Sequence, residues 1–323
     1  MTMDNHTQQP SACDPQEGVL GTLAVKSANE WLLEASQRPE PRRLWQNLWF
    51  EGEICCLFAD SNVGKTILAV QMGEHVAAMG LTVLYLDLEL TEKQFQLRYT
   101  DDLGRLYPFP ATFYRGQVHA DTTFNGASYE EDLLESIEMQ IKAVEPDVII
   151  IDNLTAMCND SERGDAAGFL MQNLMEMKRR WGLSVLVLSH TPKRDLSQPI
   201  TQNDLAGSKR IFNFCDSVFA IGMSARDSSM RYLKQLKARS CPIEFDASHV
   251  QVHEIIKEEG FLQFYQTGFA TEREHLRETG AKGISEADRE RIRELAASGL
   301  SVRKIAEQTG LGKTTVNKYL RDL

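Results

Sequence analysis

At 323 residues the chain exceeds one average domain, and 42% apolar with 25% charged residues is the balance of a soluble globular protein with a sizeable core. A net charge of −11 excludes a protein that coats nucleic acid with its whole surface. No run approaches the roughly 18 apolar residues of a membrane span, and Met1–Glu17 is too polar for a secretory signal.

Six cysteines, two of them adjacent (Cys55 and Cys56) and none in a CxxC pair, read as buried reduced thiols of a cytoplasmic protein. The charge is uneven. Lys282–Leu323 holds nine Lys/Arg against six Asp/Glu, a net of +3, which leaves −14 on the rest. That segment reads as a separate domain.

In chain order, residues 1–20 are polar and are expected to form a disordered tail. Strands are expected at Ile54–Phe58, Val83–Leu88, Val148–Ile151, Val185–Leu188, Val218–Ile221 and Tyr232–Leu236. Several are unbroken apolar runs, as parallel strands covered on both faces require. Helical spacing of apolar residues marks Ile67–Met79, Tyr129–Val144 and Ala166–Trp181. The alternation implies βαβ units and an α/β, doubly wound parallel sheet over residues 21–270. Residues 271–283, polar and glycine-containing, read as a linker, followed by a small domain at 284–323.

The sharpest motif is Ala59-Asp60-Ser61-Asn62-Val63-Gly64-Lys65-Thr66, between a strand and a helix. This is the context of a phosphate-binding P-loop, where backbone N–H groups at a helix N-terminus face the phosphates. Lys65 would reach the β- and γ-phosphates of ATP, and the Thr66 hydroxyl would ligate Mg²⁺. Alanine replaces the usual first glycine, so the turn must avoid φ > 0 at Ala59. A second Gly-Lys-Thr at 312–314 lacks a preceding strand and has Glu307 where the first glycine belongs. It is a decoy.

Asp152 closes its strand at the carboxyl end, where open α/β sheets bind ligands, and is the candidate to hold Mg²⁺ through water. Hydrolysis needs a carboxylate to orient or deprotonate water. Asp87 and Glu89, on the same strand face, compete for that role.

The P-loop, Glu89 in LDLEL, Asp152 in VIIIDNL, His190 in VLVLSH and AGSKRIFNFCDSVFAI together resemble the RecA-like ATPases, nearest the RepA-like plasmid replication helicases. The resemblance covers roughly residues 40–240. It implies that Glu89 rather than Asp87 is the catalytic base, and that His190 senses the γ-phosphate. It also implies that Lys237 and Arg239 act in a neighbouring subunit's site, hence a homo-oligomer such as a hexamer. Single-stranded DNA would touch the loops 153–165 and 191–204, with Lys193, Arg194, Lys209 and Arg210 as phosphate contacts. Neither loop carries an aromatic residue for base stacking.

In the C-terminal segment, Ser285–Ser298, Val302–Gln308 and Lys313–Leu320 read as three short helices around Ile292, Leu295, Leu300, Ile305, Ala306, Leu311, Val316 and Leu320. The pattern resembles the resolvase-type helix-turn-helix. The third helix would then enter the major groove of duplex DNA, with Lys313, Thr314, Thr315, Asn317 and Lys318 as contacts. The expected function is a Mg²⁺-dependent oligomeric ATPase acting on DNA, a replicative helicase or mobile-element ATPase. The alternative is an ATP-switched DNA-binding regulator that does not unwind.

Overall fold

The structure is a computed structural model that describes residues 23–118, 128–157, 163–192, 194–206, 208–277 and 286–321. The expected tail at 1–20 lies outside these residues. The described residues divide into two units between Arg42 and Arg43. The first carries α1 (Ala28–Ser36), started by a capping box in which the Ser27 hydroxyl accepts the Glu30 N–H and Glu30 accepts the Ser27 N–H.

In the second unit, a short antiparallel pair, β1 (Arg43–Trp45) and β2 (Trp49–Phe50), leads into β3 (Ile54–Ala59) and α2 (Lys65–Ala78). There follow β4 (Val83–Asp87), α3 (Glu92–Arg98), β5 (Phe113–Gly116), α4 (Tyr129–Val144) and β6 (Val148–Asp152). Next come α5 (Arg163–Trp181), β7 (Ser184–His190), α6 (Ser208–Phe214) and β8 (Ser217–Met223). The sheet ends with β9 (Met230–Lys237), β10 (Val250–Glu258) and β11 (Phe261–Ala270), followed by α7 (Glu272–His275).

Nine strands form one sheet in the order β11-β10-β9-β8-β3-β7-β6-β4-β5. From β8 to β5 all neighbours are parallel, whereas β9, β10 and β11 are antiparallel. The sheet is therefore mixed, and Tyr232–Leu236 lies in an antiparallel strand rather than a parallel one. Alternate side chains of the parallel strands enter two separate cores. Cys56, Phe58, Ile149, Ile151 and Val187 pack with α4 and α5. Cys55, Leu57, Ile150 and Leu186 pack with Leu68, Met72 and Val76 of α2. Burial on both faces is why these strands read as unbroken apolar runs.

The β10–β11 hairpin turns at Glu259-Gly260, both with positive φ (+49° and +81°), the conformation a two-residue turn needs to match strand twist. Residues 271–277, expected as linker, instead pack on the sheet domain. Glu272 is 1% exposed and accepts from Lys234 Nζ at 2.5 Å and from the Ile200 N–H at 2.7 Å. The Arg277 N–H donates to the Leu196 carbonyl at 3.0 Å. Polar composition hid this anchorage because the polar groups satisfy one another.

Candidate active site

β3 delivers the chain into the P-loop with Ala59 still extended, so the missing glycine costs nothing there. Positive φ falls at Asn62 (+61°) and at Gly64 (+112°), the cap of α2. A Cβ on Gly64 would stand 2.9 Å from the Phe264 ring and 3.0 Å from Ile255, so close approach and backbone both demand glycine. The β10–β11 hairpin is itself tied down. Gln71 of α2 accepts the Phe264 N–H at 2.9 Å and donates to the Phe264 carbonyl at 3.1 Å. Arg231 Nε donates to the Val63 carbonyl at 3.0 Å, clamping the loop from β9.

Lys65 is 6% exposed, and burial lowers its pKa against the raising effect of Asp152. Its ammonium donates to the Ala59 and Asp60 carbonyls at 3.0 and 3.1 Å and to His190 Nδ1 at 3.1 Å. An ammonium can only donate, so Nδ1 is the acceptor and Nε2 carries the imidazole proton. Nε2 then donates to Glu89 Oε1 at 3.1 Å. Asn153 Nδ2 donates to the same oxygen. The hydrogen bond from His190 is the largest influence holding the Glu89 carboxyl below its usual range.

Asp87 sits in a different environment. Its side chain is fully buried, Oδ2 receives Nε and a terminal nitrogen of Arg115 at 3.0 and 2.8 Å, and Oδ1 accepts the Glu89 and Leu90 N–H groups. Both of its oxygens are committed to structure.

Asp152 is wholly buried, and burial raises its carboxyl to about 6 despite the opposing Thr66 and Tyr85 hydroxyls. Tyr85 donates to Oδ2 at 2.6 Å, while Oδ1 has no hydrogen-bond partner. A buried, unpaired carboxylate oxygen beside the Thr66 hydroxyl fits a cation. One carboxylate oxygen and one hydroxyl suit Mg²⁺, which is commonly held by one or two protein oxygens plus water and phosphate.

The structure thus brings Lys65, Thr66, Glu89, Asp152 and His190 to one end of the sheet. It does not bring Lys237 and Arg239 there. Lys237 Nζ donates to the Phe212 carbonyl at 2.8 Å, and Arg239 pairs with Asp216 Oδ1 at 2.6 Å. Asp216 Oδ2 accepts the Ile54 N–H, which places this pair at the opposite end of β3 from Ala59.

Arg194 also departs from expectation as a DNA contact. Its side chain is only 8% exposed, 3.9 Å from Asp60 Oδ2, and it influences the buried Tyr232 hydroxyl. It faces the phosphate loop. Lys193 and the Lys209 side chain lie outside the described residues, and Arg210 is exposed at the start of α6. Sequence reasoning missed Asn153, Tyr85 and Arg231. Only Asn153 carried a signal, its place directly after Asp152.

The C-terminal helices are α8 (Glu286–Ala297), α9 (Val302–Thr309) and α10 (Lys313–Arg321), with Ser285 outside the described residues. Ile292, Leu295, Ile305, Ala306 and Val316 form their buried core, with Leu300, Leu311 and Leu320 partly buried against it. Gly310 turns α9 into α10 at φ +67°. Lys313, Thr314, Asn317 and Lys318 are exposed on α10 and Thr315 is half-buried.

Comparison with known proteins agrees with this architecture. Residues 22–195 match the family described as "AAA domain", and residues 282–323 match "Helix-turn-helix domain of resolvase". Among curated relatives, DNA repair protein RadA of Listeria monocytogenes is 24% identical over 241 residues, 73% of this chain and 45% of its own. The RadA proteins of Streptococcus pneumoniae and Halalkalibacterium halodurans are 23% and 26% identical over 194 residues, 58% of this chain in each case and 40% and 36% of their own. The chain thus spans less than half the length of these relatives. With a family match across more than half its residues and the parallel-dominated sheet beneath it, the chain belongs to the AAA-domain family of RecA-like P-loop ATPases, joined to a resolvase-type helix-turn-helix.

Proposed function

We propose that the protein is a Mg²⁺-dependent ATPase that works on DNA as a homo-oligomer, with the helix-turn-helix as its duplex-binding module. The observation that carries this reading is the Lys65–His190–Glu89 chain of hydrogen bonds beside the unpaired oxygen of Asp152. On this reading Lys65 leaves the Ala59 and Asp60 carbonyls to meet the β- and γ-phosphates, and Thr66 and Asp152 are the residues that would hold Mg²⁺, which would supply neutralising charge to the phosphates. Water attacks the γ-phosphorus. As the new O–P bond forms, the bond to the bridging oxygen breaks, ADP leaves with the electron pair, and Glu89 accepts the proton of the water. His190 joins Lys65 to Glu89, so loss of the Lys65 bond on nucleotide binding frees Nδ1 and repositions the loop that follows.

Lys237 and Arg239 serve a neighbouring subunit. Arg239 lies at the Ile54 end of β3, and the five steps to Ala59 span roughly 17 Å, too far for a guanidinium to reach its own P-loop. The same groups support an assembly in which each interface completes a site.

The finer reading is a helicase of the RepA-like kind. The buried Arg194 favours the alternative, an ATP-switched DNA-binding regulator, because it removes one basic group from the loop that would track a single strand. ATP hydrolysis measured with no DNA, single-stranded DNA and duplex DNA, together with unwinding of a forked duplex, separates them. Stimulation by single strand with unwinding supports the helicase, while duplex stimulation without unwinding supports the regulator. Absence of Mg²⁺-dependent hydrolysis in all three conditions refutes both.

A further inference from the structure

Asn153 follows Asp152 at the end of β6 and is 1% exposed. Both ends of its amide are in use. Oδ1 accepts the Ala156 N–H at 3.0 Å, opening the 3-10 turn Leu154–Met157. A backbone N–H can only donate, so this bond fixes which way the amide faces, and Nδ2 is directed at Glu89 Oε1. Nδ2 also lies 2.9 Å from His190 Nε2. Two donors do not bond each other, so both act on the same carboxylate oxygen. The main chain fixes the spacing: Asp87 pairs with Asp152 in parallel register, and the Leu88 N–H donates to the Asp152 carbonyl at 2.7 Å.

We propose that Asn153 is a positioning residue for hydrolysis, acting through Glu89. The terminal torsion of a glutamate is broad and roughly two-fold, so a carboxylate 39% exposed at a strand end has no steric reason to hold one orientation. Two donors converging on Oε1 supply that reason. They leave Oε2 as the oxygen that takes the proton of the attacking water. The inference rests on Glu89 being the base.

Asn153→Asp is the discriminating variant. It keeps the shape and the acceptor for the Ala156 N–H, and replaces only the donor facing Glu89 with a second carboxylate oxygen. The full-length protein is assayed for steady-state hydrolysis, and for affinity with a fluorescent ATP analogue, beside Glu89→Gln. Misplaced reacting groups cost up to about 100-fold, so the expected result is a kcat lowered about 10- to 100-fold with nucleotide affinity within about twofold. The acid limb of the kcat profile should also move to higher pH, because a like charge now faces Glu89. A kcat unchanged in Asn153→Asp while Glu89→Gln is inactive overturns the positioning role alone. Nucleotide affinity falling in step with kcat overturns it as well, in favour of a binding role. An active Glu89→Gln removes the base, and the inference goes with it.

Discussion

Asp87 and Glu89 stand two residues apart, and their neighbours give them opposite work. Asp87 is sealed against Arg115 and two backbone N–H groups, whereas Glu89 keeps an exposed edge beside His190. Glu89→Gln should therefore bind ATP and hydrolyse it at least about 100-fold more slowly, the low end of what general-base catalysis contributes. Asp87→Asn should lose stability instead, by roughly 3 kcal/mol for breaking a buried charge pair, seen as a lower midpoint in urea. A folded Asp87→Asn that binds ATP without turning it over, beside an active Glu89→Gln, would reverse the assignment. Lys65, Thr66 and Asp152 were legible because a strand, a glycine turn and a strand end leave local marks. The contacts of Asn153 and Arg194 were not, since their partners Glu89 and Asp60 are remote in sequence and the place of Asn153 directly after Asp152 was its one local mark. A basic residue in a loop reads as exposed until packing says otherwise.

The elements divide the same way. β3, β4, β6, β7 and β8 were visible because burial on both faces enforces apolar runs. β10 mixes Gln251, His253 and Glu254 with valine and isoleucine, so its periodicity was blurred, yet it forms the hairpin against the P-loop. His253 in that strand is 3% exposed, and burial depresses its pKa to about 4. The unfolded chain takes up the proton near 6.5, so the folded state is favoured fully above that pH and loses stability as pH falls toward 4. Two to two and a half pH units correspond to roughly 3 kcal/mol. Denaturation midpoints at pH 7 and pH 4.5 should therefore converge in His253→Gln relative to the unmodified protein. Equal acid sensitivity of the two would place the titrating group elsewhere.

At the scale of the whole molecule, the proposed duplex binding and hydrolysis belong to different parts of the chain. Ending the chain at Gly283 should leave basal hydrolysis and abolish tight duplex binding. In the full chain, binding should weaken steeply with salt, by nearly one log unit per log unit for each phosphate neutralised. Duplex binding that survives truncation would make α8–α10 a protein-interaction module. For the assembly, Arg239→Ala should bind ATP yet turn over about 10³-fold more slowly. Co-assembly with Glu89→Gln should restore activity, since a mixed interface pairs an intact base with an intact arginine. A co-assembled mixture with no recovery argues for action within one chain.

The anchorage of 271–277 would give the two proposed activities a common joint. The Arg277 N–H is bonded to Leu196, and Glu272 to the Ile200 N–H, on the loop that leaves His190. Whatever displaces that loop displaces the root from which the chain departs toward α8. Equilibrium linkage makes such a lever reversible: if ATP multiplies duplex affinity by some factor, duplex must multiply ATP affinity by the same factor. Two titrations, each ligand in the absence and at saturation of the other, should close that thermodynamic square. Breaking the Lys234–Glu272 ion pair with Glu272→Gln should shrink both factors together.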